Sequence, residues 1–209
     1  MGHSAKFWDW IAKRYSKQPI ADEATYEKKL RITRGYFQQD MKILEFGCGT
    51  GSTALLHAPY LSHIRAIDVS PKMIEIAQAK ADAENIKNVA FECLAIDEFS
   101  APEHSFDAVL GLNILHLLEN KEEIIASVYD MLKPGGVFIT STACIADMKM
   151  LYRIIAPVGN FLRVIPLVRV FTSKELQDSL TNAGFQIDYQ WQPGKDKAVF
   201  FAAKKGFAN

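Results

Sequence analysis

The run Ile43-Leu44-Glu45-Phe46-Gly47-Cys48-Gly49-Thr50-Gly51, followed by the acid that ends Ile64-Arg65-Ala66-Ile67-Asp68, constrains this chain more than any other stretch. An apolar strand leads straight into three glycines at alternate positions. With no side chains there, the backbone can turn tightly, expose its amides and let a ligand approach closely. Asp68 then falls at the carboxyl end of the next strand, where a carboxylate can accept both ribose hydroxyls of an adenosine, as in doubly wound nucleotide folds. The pattern reads as a nucleoside-cofactor site, and the open question is which cofactor.

The nicotinamide fingerprint G-x-G-x-x-G needs a glycine at position 52, where this chain has Ser52, so the spacing fails that pattern. Glu45, two residues before the first glycine, is also awkward beside a pyrophosphate, because like charges repel in a partly dehydrated cleft. An acid there suits a cofactor with a cationic end. On these residues the chain resembles the class I S-adenosylmethionine (AdoMet) methyltransferases, whose first motif has the form E/D-x-G-x-G-x-G and whose second strand ends in an acid. Further stretches resemble the same family in the same order: Asp68-Val69-Ser70-Pro71-Lys72-Met73, Ser105-Phe106-Asp107-Ala108-Val109, and Leu132-Lys133-Pro134-Gly135-Gly136-Val137-Phe138. Phe7-Trp8-Asp9 and Arg14-Tyr15 are similar to its small-molecule and quinone-type branch.

The resemblance implies a fold and a site. The fold is α/β, three-layered and Rossmann-like, with a seven-stranded, mostly parallel sheet ordered 3-2-1-4-5-7-6 and helices on both faces. The cofactor is AdoMet, leaving as S-adenosylhomocysteine. The loop Gly47, Cys48, Gly49 and Gly51 holds the methionine part, Asp68 with Val69 the ribose, and Glu45 orders the loop and the methionine amino end. Met73 packs on the adenine edge or, equally, serves as a first-turn core methionine. Relatives often carry an aspartate where Leu94 stands, so the adenine contacts fall to main-chain groups of Ala95 and Ile96 or to Asp97. Tyr15 joins the cofactor-binding set from the amino-terminal segment.

Periodicity supports the fold independently. Strand-like runs at 41–46, 64–68, 89–94, 106–112 and 136–142 alternate with helix-period segments, the signature of a parallel sheet with crossover helices. Ile124, Val128 and Leu132 recur at four-residue steps opposite Lys121, Glu122 and Asp130, which predicts an amphipathic helix. Thr172-Ser173-Lys174-Glu175 has the form of a capping box and Gly184 of a helix stop, predicting a helix over 173–183. Phe185 to Trp191 and Lys197 to Ala203 read as a terminal hairpin.

At 209 residues the chain is expected to form one domain over 1–209, with a lid segment at 1–40 and a cap insertion at 143–170. Phe7, Trp8, Trp10, Ile11 and Tyr15 occupy a probable lid helix, followed by Tyr26, Leu30 and Tyr36. These aromatics either close the cofactor site or only dock the helix onto the sheet. The cap, with Met148, Met150, Arg153, Arg163 and Arg169, is apolar with scattered positive charge. It would suit an apolar, partly anionic small substrate, or form an ordinary helical cover whose arginines reach into water.

Chemistry falls to the end of the fourth strand. Bound AdoMet carries an already activated methyl group, so alignment of the acceptor can supply most of the rate. His116 is the candidate general base for a protonated acceptor, with a purely structural histidine as the alternative. Asn113 is placed to line the methionine side or to cap the following turn. Ile139-Thr140-Ser141-Thr142 offers no carboxylate pair, so methyl transfer is expected to be metal-independent.

Other functions lack their motifs. There is no N-P-P-Y run of DNA-base methylases, and no G-x-x-x-x-G-K-S/T, H-E-x-x-H or G-x-S-x-G. Basic and acidic residues balance at 24 each, which gives no global electrostatic case for nucleic acid. The three cysteines, Cys48, Cys93 and Cys144, lie far apart and fit reduced thiols of a cytoplasmic protein. No apolar run has the form of a signal peptide or the length of a membrane span. Oligomeric state is left open. The remaining alternatives are a nicotinamide oxidoreductase and a catalytically silent AdoMet-binding protein.

Overall fold

The computed structural model describes residues 3–148 and 167–207. The chain packs as two compact units, residues 1–101 with 106–110, and residues 102–105 with 111–209. The sheet has seven strands in the order β3-β2-β1-β4-β5-β7-β6, as the sequence resemblance implied.

In the first unit β1 (Lys42–Phe46), β2 (His63–Asp68) and β3 (Val89–Cys93) run parallel, with Ile43 beside Ile64 and Ile64 beside Val89. The first residues of β4 (Phe106–Leu112) flank β1 on its other side, placing Leu110 beside Glu45. Ile43, Leu44, Phe46, Ile64, Ala66 and Ile67 are wholly buried. Near-continuous apolar runs of this kind are what strands covered on both faces require.

Helices α3 (Ser52–His57) and α4 (Pro71–Ala83) make the crossovers. Ser70 caps α4, its Oγ accepting from the Met73 amide at 3.2 Å, and Pro71 opens the first turn with the φ that a helix needs. Met73, Ala77 and Ala81, at four-residue steps, form its buried stripe. The amino-terminal segment folds as α1 (His3–Tyr15), which packs on α4, and α2 (Glu23–Arg34), which is capped by Asp22 and buries Leu30.

The second unit contains α5 (Lys121–Met131), β5 (Leu132–Thr142), α6 (Ser173–Asn182), β6 (Gln186–Trp191) and β7 (Val199–Lys204). β7 pairs antiparallel with β5, Val137 beside Lys204, and with β6, Gln186 beside Lys204. Phe138, Leu176, Leu180, Phe185, Phe200 and Phe201 are its buried core. The capping box forms as read: Thr172 Oγ1 accepts from the Glu175 amide at 3.0 Å, and Glu175 Oε2 accepts from the Thr172 amide at 2.7 Å. Gly184 takes a left-handed φ of 99° where the chain leaves α6, and a Cβ there would come within 3.0 Å of the Tyr129 ring.

Most boundaries shift by a residue or two, and that of the fifth strand moves furthest from the sequence reading. The helix through Leu132 stops at Met131, and β5 begins at Leu132 rather than 136, with Leu132 extended at φ −76°, ψ 138°. Lys133 precedes a proline, which disfavours helical backbone. Beyond that proline, the Gly135 amide donates to the Lys205 carbonyl at 3.1 Å, and the Lys205 amide donates to Gly136 at 2.9 Å.

Most of the expected cap, including Met150, Arg153, Pro157, Arg163 and Pro166, lies outside the described residues. Among the described residues, no helix is long and apolar enough to cross a membrane.

Candidate functional site

The glycine loop leaves β1 through three left-handed residues, Gly47 (φ 66°), Gly49 (φ 54°) and Gly51 (φ 74°). Gly51 is fixed by sterics as well: a Cβ there would stand 2.7 Å from Ala77 Cβ and 2.7 Å from Phe91 Cζ. At Gly49 the space is open, since the nearest atom to a Cβ would be Tyr15 Cε1 at 4.0 Å. Gly51 is therefore needed for packing against α4 and β3, whereas Gly49 leaves open space.

The loop's amides are not exposed in the way the sequence led us to expect. The Cys48 amide donates to Ile67 O at 3.0 Å, the Gly51 amide to Cys48 O at 3.0 Å, and the Gly49 amide to Asp68 Oδ2 at 2.9 Å. A phosphate would find three of these donors already engaged and two acids, Glu45 and Asp68, close by. This argues against a pyrophosphate and for a ligand that brings its own donors.

Asp68 Oδ1 accepts from the Ser70 amide at 2.9 Å, so both carboxylate oxygens are held by backbone N–H groups. Burial raises its pKa, and those two amides act in the opposite direction. Glu45 is more extreme. It is 3 % exposed, its Oε2 has no hydrogen-bond partner, and burial together with the charge of Asp68 pushes its carboxyl up to about 8. A buried carboxyl oxygen without a hydrogen-bond partner is uncommon in a folded chain, and Glu45 has one beside the glycine bend.

Three side chains outside the expected cofactor-binding set shape this loop. Lys80 of α4 donates at 3.0 Å to each of Thr50 O, Thr50 Oγ1 and Ser52 Oγ, tying the loop to the helix. Asp9 of α1 accepts from Ser70 Oγ at 2.6 Å and from the Lys72 amide at 3.1 Å, docking the amino-terminal helix on the start of α4. Tyr26 of α2 shares a 3.2 Å hydrogen bond with Thr53, and burial with the charge of Glu45 helps raise its phenol pKa, while the Thr53 bond lowers it. Asp9 stands inside the motif Phe7-Trp8-Asp9 and Tyr26 among the amino-terminal aromatics, but nothing local marked Lys80.

The other cofactor candidates of this unit have mixed surroundings. Cys48 is buried, and burial and both acids hold its thiol pKa well above the ordinary value. Tyr15 is half exposed, its phenol raised by desolvation and by Asp68. Val69 is half-buried and Met73 is 2 % exposed, as a core methionine would be. The carbonyls of Ala95 and Ile96 already accept from the Glu98 and Phe99 amides, at 3.1 and 3.2 Å. Leu94 is tied to the β2 end through its amide, which donates to Asp68 O at 3.0 Å, and Asp97 is exposed.

Asn113 and His116 belong to the second unit. Asn113 is exposed and left-handed (φ 57°), with its amide donating to Ser141 O at 2.6 Å. It does not cap the turn that follows, which begins at Ile114 without a side-chain cap. His116 lies on that short turn, Leu115–Leu117; its Nδ1 is buried without a partner, and burial lowers the imidazole to about 4. It is thus neutral throughout the physiological range.

The strand order is that of the Rossmann-like class I AdoMet-dependent methyltransferase fold. Residues 43–136 match the family model of a methyltransferase domain. Malonyl-acyl-carrier-protein O-methyltransferase of Bacillus cereus is 34 % identical over 104 residues, covering 49 % of this chain and 37 % of that protein. The crystal structure of YcgJ from Bacillus subtilis superposes with a TM-score of 0.72 at 16 % identity, covering 87 % of this chain and all (100 %) of that one. Phosphoethanolamine N-methyltransferase 2 of Haemonchus contortus, solved with phosphomonomethylethanolamine and S-adenosylhomocysteine, gives a TM-score of 0.72 at 16 % identity, over 87 % of this chain and 53 % of that one. The chain matches less than half the length of the curated relatives.

Proposed function

We propose that the chain binds AdoMet at the glycine loop and transfers its methyl group to a small-molecule acceptor, releasing S-adenosylhomocysteine. The observation that carries this reading is Glu45: a buried acid with one oxygen unpartnered, beside a loop whose Cys48, Gly49 and Gly51 amides already donate to protein acceptors. That combination fits the ammonium of a methionine moiety and disfavours a phosphate, and so disfavours the nicotinamide alternative.

AdoMet, when bound, supplies a methyl group on a sulfonium that needs no further activation. The chain's residues then have four tasks. Glu45 accepts from the amino end, and Asp68 accepts from the ribose hydroxyls with the lone pairs that Gly49 and Ser70 leave free. Gly47, Cys48, Gly49 and Gly51 set the curvature of the floor, with Val69, Met73, Ala95 and Ile96 assigned to the nucleoside side and Tyr15 to its cover. Asn113 and His116 are assigned to the methyl-transfer side, where neutral His116 can take a proton from an acceptor hydroxyl. Among the described residues, no group of three His, Cys, Asp or Glu is placed to hold a metal.

The acceptor is a small molecule in this reading because charge balances overall and relatives in this class are named for small or carrier-bound acyl acceptors. Titration calorimetry with S-adenosylhomocysteine against NADH tests the cofactor, and tight binding of NADH alone would overturn it. Asp68→Ala should weaken S-adenosylhomocysteine by about 1.5 to 3 kcal/mol through loss of charge-assisted hydrogen bonds. An unchanged dissociation constant would remove Asp68 from the site. Radiolabelled AdoMet with an acceptor panel tests catalysis, and cofactor binding with no transfer to any acceptor would favour a silent binding protein.

A further inference from the structure

The outer face of α1 carries a feature that the cofactor site does not use. Trp10 is 79 % exposed. An indole buries more apolar area than almost any side chain when it is given a surface to pack on, so a tryptophan standing in water marks a face without its partner. Around it Lys6, Lys13, Arg14 and Lys17 are all exposed. At 100° per residue these five positions fall within a single arc of the helix, because 6, 10, 13, 14 and 17 are separated by helical steps of three and four. The backbone bonds from the Ser16 amide to Ala12 O and from the Lys17 amide to Arg14 O carry the helical path to Lys17. Ile20, just beyond, is 48 % exposed.

The charges on this face are uncompensated. Among the described residues, no ion pair takes up Lys6, Lys13, Arg14 or Lys17. The one acid of α1, Asp9, is engaged by Ser70 and Lys72 on the inner side. The helix is therefore anchored by its acid and presents only cations and an indole outward.

We propose that this face of α1 docks the protein on an anionic lipid surface, the helix lying flat with Trp10 at the headgroup level and the four cations facing lipid phosphates and carboxylates. Clustered exposed cations on one arc of a helix are what an anionic lipid surface attracts, and an indole among them is suited to the headgroup level. The alternative polyanion, a nucleic acid, is disfavoured by the chain's overall zero charge, which provides no wider basic footprint.

The test is co-sedimentation of the full chain with vesicles of phosphatidylcholine containing phosphatidylserine, and with phosphatidylcholine alone. Binding is expected to the anionic vesicles only and to fall with added salt. Lys13→Glu with Lys17→Glu should abolish it, and each single Lys→Gln change should weaken it about 5-fold, the factor for one cation near such a surface. Trp10→Ala should also weaken it, and the single Lys→Gln variants should keep the thermal melting and S-adenosylhomocysteine affinity of the wild type, since those side chains stand in solvent. No binding to either vesicle, equal binding by the charge-reversed double variant, or binding to single-stranded RNA in place of vesicles would each overturn the proposal.

Discussion

Asp9 and Ser70, far apart in sequence, meet side chain to side chain at 2.6 Å, and the same Asp9 oxygen accepts from the Lys72 amide. Ser70 is at once the cap of α4 and the residue whose amide holds Asp68. The helix that covers the loop and the acid assigned to the ribose are thereby joined through one serine.

Replacing Asp9 with alanine removes the acceptor from both donors and leaves part-buried Ser70 Oγ without its partner. The expected cost is about 1 to 2 kcal/mol of stability. Urea unfolding measures it, and limited proteolysis should cut within residues 1–40 sooner in the variant than in the wild type. Equal protease resistance would mean that α1 is held by its apolar contacts alone.

Glu45 gives the chain a pH dependence of defined sign. Its carboxyl titrates at about 8 in the folded chain against an ordinary 4.5, so between these values the folded state holds a proton that the unfolded state has lost. Stability is therefore full below the lower value and is lost as pH rises through the upper one. Glu45→Gln should melt higher than the wild type at about pH 9, by about 1 to 3 kcal/mol, with the difference vanishing near pH 5. In the wild type, affinity for S-adenosylhomocysteine should rise between about pH 6 and 8, because its ammonium favours the ionised acid. A pH-independent affinity would separate Glu45 from the amino end.

Gly51→Ala places a methyl group 2.7 Å from both Ala77 Cβ and Phe91 Cζ on a residue with φ 74°. Overpacking and the left-handed backbone together should cost about 2 to 4 kcal/mol. Adding Phe91→Leu should recover part of that loss in a chemical denaturation series. If the single variant is as stable as the wild type, the loop has a second conformation open to it.

His116→Ala should lower kcat/KM about 100-fold if the imidazole takes the acceptor's proton. With the imidazole lowered to about 4, the wild-type rate should show no limb from this group between about pH 5 and 8 and should fall only below that range. A variant that matches the wild type at every pH would leave His116 as a packed turn residue.

The strands themselves were legible because each is a mostly apolar run set between helix-period segments, all of them local signals, whereas their order in the sheet was implied only by the resemblance to the methyltransferase family. The capping box at Thr172 and the stop at Gly184 were legible for the same reason. Local rules also explain the boundary that moved furthest: Leu132 keeps the helical spacing, yet the proline two residues on decides the backbone. The site was less legible wherever its bonds run between distant segments. Glu45, the glycines and Asp68 could be read, but not that Asp68 would take up the loop's own amide, nor that Lys80 would reach back to Thr50. A lysine on a crossover helix looks like any solvated lysine until the loop it binds is folded beside it.

That lysine has a thermodynamic consequence. With Thr50 and Ser52 clasped from α4, the bend around Gly49 loses its conformational freedom when the chain folds, so little ordering is left for the moment a ligand arrives. Ligand affinity then becomes a sensor of the integrity of α4: a change in that helix with no atom near the ligand will read out as weaker binding, through the restored mobility of three glycines.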